Sequence, residues 1–114
     1  MITVTLGLAA ICFLNQCHPA LVGEQTPTGH YRLQQRSVIS EGYGGDVLVF
    51  WERGQDLFAV HRVWKLRPSQ HRVERLYSAD PAQRVITDGC INVMPDVYDQ
   101  LVECCSDGEM EIVK

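Results

Sequence analysis

Pro95 opens the one long stretch in which apolar residues recur at helical spacing, which leaves the rest of the chain to strands and loops. Val97, Tyr98, Leu101, Val102 and Cys105 fall on one face of that helix. Proline suits its first position, and Ser106-Asp107-Gly108 supplies the stop. Elsewhere the apolar pattern is short and extended. Ile2-Thr3-Val4-Thr5-Leu6 alternates as a half-buried strand does, and Ala9 to Leu14 is a short apolar run closed by an Asn15-Gln16 turn. Pro19 to Gly23 reads as a strand ended by glycine, and Tyr31-Arg32-Leu33 as extended chain. Asp46 to Trp51 and Leu57 to His61 flank the turn Gly54-Gln55-Asp56 and read as a hairpin. Gly42-Tyr43-Gly44-Gly45 reads as a flexible loop, and Met110 and Ile112 alternate in a last strand. The pattern predicts a mostly β domain with one main helix.

The 114 residues suit a single domain over 1–114, and no repeat, low-complexity stretch or linker divides them. An apolar share of 46% excludes a disordered chain. A net charge of −4 speaks against a general nucleic-acid groove. Arg62, Lys65, Arg67, Arg72, Arg75 and Arg84 make six of the ten Lys and Arg. Their segment, Arg62 to Val85, reads as a long loop with one helical turn near Val73 to Tyr77. Its cations read as a solvated face in preference to substrate contacts. The apolar start, Ile2 to Leu14, has no preceding Lys or Arg and is too short for a membrane span. Two strands suit it better than a signal peptide. The five cysteines form no C-x-x-C motif and no spacing typical of zinc, so no metal site is expected. Their odd number leaves at least one thiol free, which suits a thiol enzyme or a reducing compartment. The four apart from Cys90 are expected to be buried and inert.

Two short strings carry the chemistry. One is Thr87-Asp88-Gly89-Cys90-Ile91-Asn92-Val93; the other is Thr26-Pro27-Thr28-Gly29-His30-Tyr31. The first has the form of a cysteine on a tight turn before a helix. A glycine at 89 lets backbone approach a bound acyl group, and successive amides there can face an oxyanion. A helix beginning soon after would favour thiolate over thiol. A lone cysteine is more often a small buried hydrophobe, so the weight rests on both strings together. A thiol nucleophile also needs a base. His61 ends a predicted strand after Phe58-Ala59-Val60, where it would be held at the rim of the core, within hydrogen-bond reach of the thiol. His71 lies in a loop between Gln70 and Arg72.

These residues, with an upstream histidine and the later run Val97-Tyr98-Asp99, resemble the L,D-transpeptidase catalytic domain of bacterial peptidoglycan metabolism. The likeness runs from about Leu21 to Val113. Asp88 departs from it, standing where that family usually carries a second histidine. The resemblance implies a β-sandwich with Cys90 between the end of the sheets and the helix. It implies Cys90 as nucleophile and His61 as base, oriented by the backbone carbonyl of Arg62. By spacing alone His71 competes with His61. The amides of Asp88, Gly89 and Cys90 would form the oxyanion hole. Thr87, Asp88 and Asn92 are substrate-binding candidates; Asn92 reads equally as a turn residue. Tyr43 is either a lid over the substrate or a plain loop residue. Thr26 to Gly29 would shape the cleft floor. Asp88 would raise the thiol pKa unless turned to solvent, Arg62 or Arg84.

The implied reaction is attack of Cys90 on the carbonyl joining a diamino acid to D-Ala in a peptidoglycan stem peptide. An amine or water then takes the thioester, and no cofactor is called for. An L,D-carboxypeptidase, an effector delivered into rival cells, and a non-catalytic peptidoglycan-binding relative stay open beside it. The family works in the periplasm or cell envelope, whereas no signal peptide is visible here, so the compartment stays open too.

Overall fold

A computed structural model describes residues 1–38, 43 and 45–114; of the expected glycine loop, positions 42 and 44 lie outside the described residues. Among the described residues the strands form two sheets. The first takes β1 (Ile2–Thr5), β2 (Ala10–Phe13), β3 (Gln16–Pro19), β4 (Gly29–Arg32) and β9 (Glu109–Val113), in the order β3-β2-β1-β9-β4. The second takes β5 (Gln34–Ser37), β6 (Asp46–Arg53), β7 (Asp56–Arg62) and β8 (Ile91–Val93), in the order β5-β6-β7-β8. Both sheets are mixed: β1 runs parallel to β9 and β7 parallel to β8. Two helices complete the set, α1 (Arg72–Leu76) and α2 (Pro95–Cys105). No described helix is long and apolar enough to cross a membrane.

Period-two alternation builds the core. Ile2 and Val4 of β1, Ile11 and Phe13 of β2, and Met110 and Ile112 of β9 turn inward from the first sheet. Leu48, Phe50, Val60, Ile91 and Val93 meet them from the second. Helix α2 sets Val97, Tyr98 and Leu101 into the same core, on the face expected from its spacing. Strand β6 is buried on both faces, since Val47 and Val49 form a second cluster with Ala59, Val38 and Tyr43. That explains its unbroken apolar run.

Several elements differ from the sequence reading. The expected strand Pro19 to Gly23 is displaced: Gln16 to Pro19 is the strand, while Leu21 and Val22 make isolated bridges to Asn92 and Val85. Strand β3 is an exposed edge held by backbone pairing, so it carries no apolar signal. Strand β5 is polar for the same reason, at the edge of the second sheet. The cysteines also differ. Cys12 and Cys17 face each other across the β2–β3 hairpin and are disulfide-bonded, and Cys104 is bonded to Cys105. Cys17 and Cys104 are exposed rather than buried. Among the described residues Cys90 is the free thiol.

Candidate active site

The parallel register of β7 and β8 pairs His61 with Asn92. Alternation sends Val60, Ile91 and Val93 into the main core and leaves His61 and Asn92 together on the opposite face. A slip of one residue would reverse both, so the register itself places these two side chains. Cys90 stands just before β8. Its thiol and the His61 ring line one cavity of about 290 Å³, shared with Tyr43, Trp64, Arg72 and Asp88. His71 is outside it, exposed, with Glu74 3.7 Å away.

The two strings meet here. The Thr26 hydroxyl donates to the Gly89 carbonyl at 3.0 Å and accepts from the Gly23 amide at 2.9 Å. Thr87 closes the cysteine turn from within, donating to the Cys90 carbonyl at 2.6 Å and accepting from the Gly89 amide at 3.2 Å. Tyr31 closes its own string by donating to the Thr28 carbonyl at 2.8 Å. Gly89 has φ +135°, and a Cβ there would come 2.2 Å from the Phe58 ring. The packed ring and the backbone conformation thus by themselves require glycine here. The Gly89 amide is engaged by Thr87, so it is not free to face an oxyanion. Among the described residues no hydrogen bond takes the amides of Asp88 or Cys90.

The ring of His61 is gripped at both nitrogens. Nδ1 lies 2.6 Å from the Arg62 carbonyl, to which it donates, and Nε2 lies 3.3 Å from Nδ2 of Asn92. Tyr43 packs edge-on against the ring at 4.6 Å between centroids. Burial pushes the imidazole down to about 4, with the Arg62 carbonyl opposing and the charge of Arg72 adding to the depression. Burial likewise pushes the Cys90 thiol up; the Ala59 amide and Arg72 pull the other way, and Asp88 adds a small push upward. At neutral pH both groups are therefore uncharged. The thiol donates to the Leu57 carbonyl at 3.6 Å, and among the described residues no hydrogen bond joins it to His61. Strand β8 separates Cys90 from α2, whose first residue is Pro95. At roughly 3 Å per extended residue the helix terminus is too distant to stabilise a thiolate. The cation facing the thiol is Arg72 instead.

Arg72 and Arg62 are not part of a solvated face, unlike the exposed Lys65 and Arg67. Arg72 donates to Asn92 Oδ1 and to Gln70 Oε1, each at 2.8 Å, and stacks on Trp64. Arg62 lies over the Tyr98 ring and pairs with Asp46 at 3.0 Å. Asp88 is exposed at the cavity rim, where its charge acts on Arg72. Arg84 is committed elsewhere, to the carbonyls of Leu8, Ala9 and Ser78. Trp64 carries no signal in the sequence as a cavity residue, and Arg72 reads there as part of a solvated face in preference to a substrate contact. The one hint is the apolar pair Val73 and Leu76, which docks α1 against Leu21 and Val63 and so carries Arg72 to the cavity wall.

No protein-family profile matches the chain, and no curated protein matches it in sequence. Solved structures do match in fold. An L,D-transpeptidase (Yku) from Stackebrandtia nassauensis superposes with a TM-score of 0.62 over 99% of this chain and 54% of that one, at 13% identity. An L,D-transpeptidase from Mycobacterium smegmatis gives 0.63 over 99% and 58%, at 17% identity. Bd1075 of Bdellovibrio bacteriovorus gives 0.61 over 98% and 46%, at 18% identity. The chain thus spans about half the length of these structures. Its fold is the L,D-transpeptidase fold, mostly β, in two mixed sheets with two short helices.

Proposed function

We propose that residues 1–114 act as a cysteine acyl-transferase domain on peptidoglycan stem peptides. The observation that carries this reading is one cavity lined by both Cys90, on a turn that Thr26 and Thr87 close by hydrogen bonds, and His61 of β7. Because both groups rest neutral, the chemistry is general-base catalysis rather than attack by a preformed thiolate. Nδ1 is committed to the Arg62 carbonyl, so Nε2 takes the proton, its resting hydrogen bond from Asn92 opening as Sγ adds to the carbonyl joining the diamino acid to D-Ala. The oxyanion faces the unengaged amides of Asp88 and Cys90. His61 returns the proton to the departing amine, and D-Ala leaves. The thioester on Cys90 then passes to an amine, giving a cross-link, or to water, giving a carboxypeptidase. Asp88, exposed at the rim, would meet the free amino group of the diamino acid, and Tyr43 and Trp64, which line the cavity, would flank the acyl chain.

Incubation with tetrapeptide stems and mass spectrometry of the products tests this. Loss of D-Ala, or its exchange for an added amine, is expected from the wild type and not from Cys90→Ala. A carbapenem separates the non-catalytic reading: a mass increase confined to Cys90 is expected, and an unlabelled protein with unaltered stems would contradict the proposal.

A further inference from the structure

We propose that Arg72 is a positioning residue: acting through Asn92, it fixes the tautomer of His61 and opposes its protonation, so that thiol and base both rest neutral. This goes beyond the peptidoglycan reading, and it rests on that reading only in taking His61 as the base. Asn92 is fully buried. Its Oδ1 lies 2.8 Å from Nη1 of Arg72 and 3.2 Å from the backbone nitrogen of Trp64. Both of those groups can only donate, so the oxygen must face them. The amide nitrogen is thereby turned to Nε2 of His61, where it donates. On the far side of the ring the Arg62 carbonyl can only accept, which requires the proton on Nδ1. Two independent constraints thus select one tautomer, with Nε2 bare.

Protonating Nε2 would set N–H against N–H at Asn92. Flipping the amide to relieve this would turn its NH2 group onto Arg72 and Trp64, both donors. Arg72 therefore resists the imidazolium twice, by its charge and by its hold on Asn92. The other charged and titratable groups near the ring do not undo this. Tyr43 is edge-on to it, Cys90 is a neutral thiol, and Asp56 and Asp88 lie at the exposed margin of the cavity. Arg62 and Asp46 are paired with each other and with Tyr98 and Asp99. Helix α1, read from sequence as a stray turn in a loop, is what delivers this control.

The test needs no peptide substrate, so failure of the stem-peptide assay and failure of this proposal are separate results. The ring C–H of His61 is titrated by NMR, and the pH profile of Cys90 alkylation by iodoacetamide is recorded. Wild type, Arg72→Gln and Asn92→Asp are compared. In Asn92→Asp a carboxylate still accepts from Arg72 and Trp64 and can also accept from a protonated Nε2. The expected result is a His61 midpoint raised by about one pH unit or more in both variants. Alkylation of Asn92→Asp at pH 6 should rise about tenfold as an ion pair with the thiolate becomes available. Arg72 stands on the cavity wall, so Arg72→Gln answers alone if the buried substitution does not fold. A His61 midpoint unmoved in Arg72→Gln overturns the role of Arg72, as does a wild-type alkylation plateau below pH 6.

Discussion

At the scale of the residue, His61 shows how one ring can be both held and kept uncharged. Its folded pKa of about 4 lies below the ordinary 6.5, so between those values the unfolded chain binds more protons than the folded one. Stability from this group is fully present above pH 6.5 and is lost as pH falls toward 4. A depression of that size corresponds to roughly 3 kcal/mol. Urea unfolding at pH 7, 5.5 and 4 should show the loss in the wild type and a clearly smaller one in His61→Gln; parallel losses would contradict a buried neutral imidazole. Asp46 does not confuse the window. Burial alone would raise its carboxyl, but hydrogen bonds from Tyr98, Gln35 and Arg62 outweigh that and leave it below its ordinary 3.8. Its contribution is therefore lost only at lower pH. Cys90, His61, Asn92 and Asp88 were legible as candidates because their residue types and order are distinctive. The engagement of the Gly89 amide by Thr87 was not, because it depends on how the turn closes.

At the scale of the element, the strong patterns and the weak ones have different physical origins. Helix α2 was read with both its ends, since a three-turn apolar stripe and a proline start leave few alternatives. Strands β6 and β7 were read as a hairpin, and each is longer than its apolar run because polar residues at the tip still pair. Strands β3 and β5 went unread, since edge strands are stabilised by backbone bonds that leave no mark on side-chain choice. Helix α2 draws its stability from the core face rather than from its caps; no side chain caps its N-terminus. Leu101→Ala, at a fully buried position, should cost about 2–5 kcal/mol, read as a lowered urea midpoint. A shift below about 1 kcal/mol would mean that the helix is not anchored through this face.

At the scale of the whole molecule, the two ends of the described chain are joined at the centre of one sheet. Strand β9 lies between β1 and β4, pairing parallel with the first and antiparallel with the second. It brings Met110 and Ile112 to the core, each almost fully buried. Removing residues 109–114 should therefore abolish cooperative unfolding, not merely shorten an edge. A truncated chain with a sharp thermal transition in circular dichroism would show instead that the first sheet closes without β9. The second sheet carries the cavity, while the Thr26 hydroxyl reaches from the chain leading into β4 to hold the cysteine turn. The shape of the cavity thus depends on both sheets being docked.

Local pattern marked most of the segments that bury a face, and the two strings with the resemblance they carry marked Cys90 and His61 as candidates for a nucleophile and a base. Those signals follow from hydropathy periods and residue chemistry, both written along the chain. Only the tertiary structure decided what surrounds them. The pairing of His61 with Asn92 comes from a parallel register between strands far apart in sequence. The need for glycine at 89 comes from Phe58, and the orientation of Asn92 from Arg72 and Trp64. These are contacts between segments that carry no mutual signal in sequence, because a hydrogen bond or a packed ring is specified by geometry in space and not by spacing along the chain.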